Sequence, residues 1–249
     1  MLRKTILYAI FIAFSASAFA QTKQEADNLY SKEHYAEAAQ TYEAILAKQG
    51  VAAEIYYNLG NCYYKQDNIP LAILNYERAL VLSPGDGDIR SNLAFARGKT
   101  IDKVTPPSEM FFVTWWRNLT HLQSLTAWAT TGIICFVLAL VCLLIYFLAF
   151  SIPIRKAGFY LSMLFFFLVV LTNLAAYSQY TEMANHAAAI VMDPAISVKS
   201  SPSENSTDLF LIHEGSKVEI LDSTMKNWYE VKFEEGKQGW IPAQAVEII

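Results

Sequence analysis

Four histidines and three cysteines are the residues of this 249-residue chain best suited to metal ligation or nucleophilic attack. His34, His121, His186 and His213 fall in no HExxH, HxH or paired Cys/His spacing that would set two ligands on one face. Cys62, Cys135 and Cys142 are too few and too far apart for a disulfide scaffold or a four-cysteine zinc site. There is no Gly-x-Ser-x-Gly elbow, no glycine-rich phosphate loop and no Ser/His/Asp set beyond chance composition. His213-Glu214 reads as a surface pair before a turn. The expectation is a chain with no catalytic, cofactor-binding or metal-binding residues, whose chemistry is recognition by side chains held on a scaffold.

The scaffold is greasier than a water-soluble domain, with 54% hydrophobic and 17% charged residues against about 25% charged in ordinary globular proteins. A net charge of −4 gives no general electrostatic reason to bind nucleic acid. The apolar excess is concentrated. Residues 1–20 place Arg3-Lys4 before an uncharged run ending Ala18-Phe19-Ala20, the pattern of a secretory signal peptide, or of an uncleaved anchor, and either exports the chain downstream of it. Residues 127–150 and 157–177 lack charge and are long enough to cross a bilayer, so two transmembrane helices are expected. The intervening loop, 151–156, holds Pro153 as a helix stop and Arg155-Lys156 as a cytoplasmic mark. Neither span carries an Asp, Glu, Lys, Arg or His, which argues against a transporter or proton relay. Cys135 and Cys142, seven apart, share one helix face as small residues that face lipid or pack against a helix.

Residues 21–104 show helical spacing and an internal echo. Ala38, Tyr42 and Ile45 recur 34 positions later as Ala72, Tyr76 and Ala79. Tyr56-x-x-Leu59-Gly60-x-x-Tyr63, then Ala72-x-x-x-Tyr76-x-x-Ala79 and Pro84, resembles the tetratricopeptide repeat (TPR). Gly60 and Ala72 let two antiparallel helices approach, Pro70 suits the start of the second and Pro84 its end. A further helix, 88–100, serves as a cap. Two and a half units are marginal alone, so the stack should lean on a partner or on membrane-proximal aromatics. The resemblance implies a concave face presenting Asp27, Tyr30, Tyr57, Asn61, Tyr64, Lys65 and Phe95 to a protein partner. Lys23 and Asn58 fit a carboxylate clamp, but Asp27, Asp88 and Asn92 do not. Residues 105–126, with Pro106-Pro107 and Phe111-Phe112-x-x-Trp115-Trp116, form a stiff linker and interfacial anchor.

The last domain is taken as 178–249, and from residue 187 onward the periodicity turns β-like, with about five short strands expected in a small barrel. Val198-x-Ser200-x-Pro202, Glu214-Gly215-x-x-Val218-x-Ile220-Leu221, Trp228-Tyr229-x-Val231 and Gly236-x-x-Gly239-Trp240-Ile241-Pro242 resemble the bacterial SH3-type (SH3b) domain. In that resemblance Gly215 opens a tight turn, Trp228 and Trp240 pack the barrel and Gly239 bends the last strand. The early stretch 190–194 lacks the aromatic row of a polyproline groove. With 5 Lys against 11 Asp plus Glu from residue 182 onward, the module is acidic.

The fold class expected is thus a multidomain membrane protein: an all-α TPR solenoid, a two-helix transmembrane hairpin and an all-β SH3-like barrel. The order of modules resembles the repeat-containing proteins of the Bacteroides aerotolerance (Bat) system. That resemblance implies a non-enzymatic adaptor in the inner membrane, with both end domains in the periplasm, whose partners are membrane proteins such as the von Willebrand-type Bat components, together with the lipid bilayer. An envelope tether, with the barrel holding peptidoglycan, is the competing reading.

Overall fold

The computed structural model describes residues 23–103, 110–185, 187–233 and 236–249. The expected signal segment 1–20, Pro106-Pro107 and His186 lie outside them. Two compact units emerge, one holding the N-terminal helices and all the strands, the other the apolar helices.

In the first unit, helices α1 (23–31), α2 (Tyr35–Gln49), α3 (Ala53–Lys65), α4 (Ile69–Leu82) and α5 (Gly87–Gly98) form two helical hairpins and a fifth helix. The 34-residue echo extends to backbone detail. Glu33 and Asp67, one period apart, both take left-handed φ, 63° and 60°. Each is followed by an N–H that reaches back over the helix end, His34 to the Leu29 carbonyl at 3.0 Å and Asn68 to that of Tyr63 at 2.9 Å. Ala38, Tyr42, Ile45, Ala72, Tyr76 and Ala79 are all buried. A Cβ on Gly60 would lie 2.7 Å from the Tyr76 ring, so glycine is what admits that aromatic between α3 and α4. Pro70 is the second residue of α4, where its missing N–H costs nothing. Asp86 caps α5 by accepting from the Asp88 and Ile89 N–H groups at 2.9 and 3.2 Å.

Seven strands complete this unit: β1 (Ala188–Val191), β2 (Ala195–Lys199), β3 (Asp208–His213), β4 (Lys217–Asp222), β5 (Trp228–Lys232), β6 (Gln238–Pro242) and β7 (Val246–Ile248). They pair antiparallel in the order β3-β2-β6-β5-β4-β1-β7. Val246 from one edge and Ile212 from the other share one core with Val198, Val218, Val231 and Ile241, so the sheet curls around its own apolar face. Gly215 does turn with φ +80°. Gly239 allows close approach of β6 to β2, since a Cβ there would sit 2.5 Å from Val198 Cγ1. The tryptophans depart from expectation. Tyr229 and Val231 pair with Ile241 and Gly239 and pack inward, which turns Trp228, paired with Pro242, and Trp240, paired with Glu230, to the opposite face. They stand half-buried on the outside rather than filling the core.

The second unit holds α6 (Phe111–Thr120), α7 (Leu125–Leu148) and α8 (Ile152–Asn185). Helices α7 and α8 are long and apolar enough to cross a membrane. Residues 149–151 connect them, a shorter turn than the expected 151–156, and Pro153 opens α8 instead of stopping α7, because a first-turn proline breaks no helical hydrogen bond. Gly132, Cys135, Ala139 and Cys142 line the buried side of α7, facing Gly158, Ser162, Thr172 and Ala175 of α8, a seam of small residues that brings backbones together. At Gly158 a Cβ would lie 2.9 Å from the Cys142 carbonyl oxygen. With 34 residues α8 spans about 51 Å, well beyond a hydrocarbon core of about 30 Å. Residues 178–185 therefore belong to this helix and not to the barrel. There Gln179, buried, donates to the Thr120 and Gln123 carbonyls, while the Trp116 indole reaches Ser178 Oγ at 3.2 Å and fastens α6.

Candidate functional site

The expected concave residues divide into struts and presented groups. Asp27 and Asn61 occupy the same repeat position, and each accepts the hydroxyl of a buried tyrosine 15 residues on, Tyr42 and Tyr76. Asp27 also binds Lys23 at 2.9 Å, so its carboxylate is committed to holding α1 on α2. Lys23 is further matched by Glu54 at 2.8 Å, which removes it from any carboxylate clamp.

Between α3 and α5 a polar row forms that the sequence did not disclose. Asn92 Nδ2 donates to both Tyr57 Oη at 3.0 Å and Asn61 Oδ1 at 2.9 Å. Two helical turns on, Lys99 Nζ stands 4.6 Å from the centre of the Tyr64 ring and pairs with Asp67 at 2.8 Å. Phe95 lies between Asn92 and Lys99 on the same stripe of α5 and is 67% exposed. It holds the position of Asp27 and Asn61 one period later. Lys65 is exposed beside this row. Tyr30 is half-buried, edge-on to Tyr35 at 5.3 Å, and its pKa is raised by burial first and then by Cys62, Tyr35 and Tyr57 nearby. Burial, with Tyr57, Tyr30 and Tyr64 behind it, raises that of Tyr76 too, which marks these rings as neighbours. Half-buried tyrosines around an exposed phenylalanine, edged by two lysines, form a surface suited to anchoring a peptide or protein. Burial pushes the Cys62 thiol up to about 12, keeping it protonated and unreactive. Among the described residues no three His, Cys, Asp or Glu gather to hold a metal ion.

A tetratricopeptide repeat family matches residues 23–87, and a bacterial SH3 domain family matches residues 194–247. The chain carries tetratricopeptide repeats and a bacterial SH3 domain. Comparison with curated proteins finds no match.

The SH3 domain and the repeats share a core. Along β1, Ala189 and Val191 point into the barrel, while Ile190 between them joins Ile73, Tyr76, Leu93 and Ala96 in the core of the repeats. The barrel thus gives the short stack packing from within the chain itself. Polar pins surround the contact. Glu77, with only 4% of its side chain exposed, bridges Arg97 of α5 and Lys217 of β4, the latter at 2.9 Å. Asp102, just past α5, accepts from the His213 N–H at 2.7 Å and the Ser216 hydroxyl at 2.8 Å, with the His213 ring 3.0 Å away.

Burial alone would raise the Asp102 pKa, but the His213 N–H, the His213 ring and the Ser216 hydroxyl hold it below its ordinary 3.8. A carboxyl depressed in the folded state contributes its full stability above the unfolded pKa and loses it as pH falls through the folded value. Asp102→Asn should therefore lower stability by about 2 kcal/mol at pH 7, and by less at an acid pH under the ordinary 3.8. Thermal midpoints at the two pH values check this; a constant gap would remove the charged pin.

Proposed function

We propose that the chain is a non-enzymatic, membrane-anchored adaptor of the BatE type, the repeat-bearing component of the Bacteroides aerotolerance system. Its repeats present the α3–α5 surface to a membrane-protein partner, in keeping with the order of modules and its resemblance to that system. The observation that carries this reading is the presented row: Phe95 exposed amid Tyr57, Tyr64, Asn92 and Lys99, with its framework tied by hydrogen bonds. A rigid, partly buried aromatic set limits the entropy lost on binding.

The shared core supports the topology as well. Residues 23–103 and 187–249 pack together, so on this reading the segment between them leaves and returns to one side of the membrane, as two spans do and one or three do not. Export places that side in the periplasm and the 149–151 turn, followed by Arg155-Lys156, in the cytoplasm of an inner-membrane protein.

Phe95→Asp combined with Lys65→Glu alters exposed side chains only and should cut partner recovery at least ten-fold, with circular dichroism unchanged. Tagged full chain, purified in detergent after mild crosslinking in cells, provides the assay. Undiminished recovery of the same membrane proteins would reject the surface. The envelope tether gains one observation, the outward Trp228 and Trp240, since flat aromatic faces suit sugar rings. If it holds, Trp228→Ala with Trp240→Ala, and not the Phe95 variant, abolishes retention on sacculi.

A further inference from the structure

A second cleft, of about 390 Å³, opens where α2, α3 and α4 meet the ends of β1 and β7, and none of the residues of the α3–α5 surface lines it. Its apolar lining comes from Leu46, Leu59, Leu71, Leu74 and Met192. Glu43 of α2 and Glu247 of β7 line it too, so the repeats and the barrel each supply a carboxylate.

The unmet hydrogen-bonding capacity of the cleft is for donors. Asn75 is 3% exposed, and its Nδ2 is spent on the Leu71 carbonyl at 2.8 Å. Its Oδ1 has no partner among the described residues, and since no fully enclosed side-chain polar atom among them goes unpaired, that oxygen meets the cleft surface. A donor entering the cleft therefore finds there an acceptor that no described side chain of the protein fills. Glu43 receives the Tyr63 hydroxyl on one oxygen only. Glu247 likewise uses one oxygen, on Arg78 at 3.2 Å. The Arg78 guanidinium, the cation of the cleft, also donates to the Ile248 carbonyl and lies 5.9 Å from the centre of the Tyr56 ring. The formal charge of the lining is −1, from Glu43 and Glu247 against Arg78, with the negative ends spread over two walls.

We propose that this cleft binds a lysine side chain of a partner peptide, the four-carbon stem lying on the leucines and Met192 and the ammonium reaching Asn75 Oδ1 between the two carboxylates. Lysine suits the site because its long apolar stem and compact three-donor head match an apolar wall ending in acceptors. The cleft exists only while the barrel is docked, since Met192 and Glu247 come from the barrel.

The test uses the full chain in dodecyl maltoside and fluorescein-labelled hexapeptides Gly-Ala-Xaa-Leu-Ala-Gly, with Xaa lysine, norleucine or glutamate. Anisotropy is read against empty micelles. The lysine peptide should bind at least ten-fold more tightly than the other two. Glu43→Gln with Glu247→Gln, which keeps both hydrogen bonds and removes both charges, should abolish that preference, as should Asn75→Leu. Phe95→Asp should leave it unchanged, which separates this cleft from the α3–α5 surface. Equal affinities for the three peptides, no saturable binding of the lysine peptide, or an undiminished preference in the Glu43→Gln/Glu247→Gln protein would overturn the proposal.

Discussion

Ile190→Asp should destabilise the full chain by more than about 4 kcal/mol, or roughly 10 °C in thermal midpoint. The isoleucine is fully buried among repeat residues, so the substitution removes its packing and buries a carboxylate in a hydrophobic core. Ile190→Val, removing one methylene, should cost only about 1 kcal/mol. The pattern of damage is as informative as its size. Ala189 and Val191 still face the barrel core, so hydrogen exchange in β2, β5 and β6 should stay slow while α4 opens. Unchanged exchange in α4 would mean that β1 does not support the repeats.

Gly215→Val should cost about 3–4 kcal/mol through two separable causes. Its φ of +80° disfavours any side chain, above all a β-branched one, by about 1–2 kcal/mol. A Cβ there would also lie 2.7 Å from Thr100 Cγ2 and 3.2 Å from Ile73 Cδ1, so the turn that opens β4 sits directly on the repeats. Adding Thr100→Ser deletes the nearer methyl while keeping the hydroxyl that bonds the Arg97 and Asp102 carbonyls. That second change should return about 1 kcal/mol, leaving the backbone penalty and the Ile73 contact behind. No recovery in the double variant would assign the whole effect to the turn.

The parts legible in the sequence are those where one residue type answers one local demand. The 34-residue period is visible because each repeat needs a small residue opposite a tyrosine, as at Gly60 and Tyr76. The two long apolar helices are visible because each is an uninterrupted uncharged run of about 20 residues. Other features depend on geometry that adjacent residues do not encode. Pro153 can end one helix or begin the next, and only the position of the turn decides. Trp228 and Trp240 look like core residues until the β5–β6 register sends them outward. Asp27 and Asn61 read as presented polar groups, yet the hydroxyls that claim them come from the following helix. The docking of barrel on repeats was the least legible, because Ile190, Asp102 and Gly215 each resemble an ordinary strand or turn residue where they stand. Their partners are distant in the chain, Ile73 and Tyr76 for Ile190, Thr100 and Ile73 for Gly215, and His213 for Asp102.

These contacts give the proposed adaptor a physical basis: a short repeat stack shares its core with a barrel from the far end of the chain. The most direct measurement is site-specific photo-crosslinking in living cells, with a benzophenone amino acid placed at Phe95 in one strain and at Trp228 in another. The account predicts that the probe at position 95 captures a discrete integral membrane protein and that the one at 228 does not. Capture of muropeptides from position 228, with no protein adduct from position 95, would contradict it and transfer the function to the barrel.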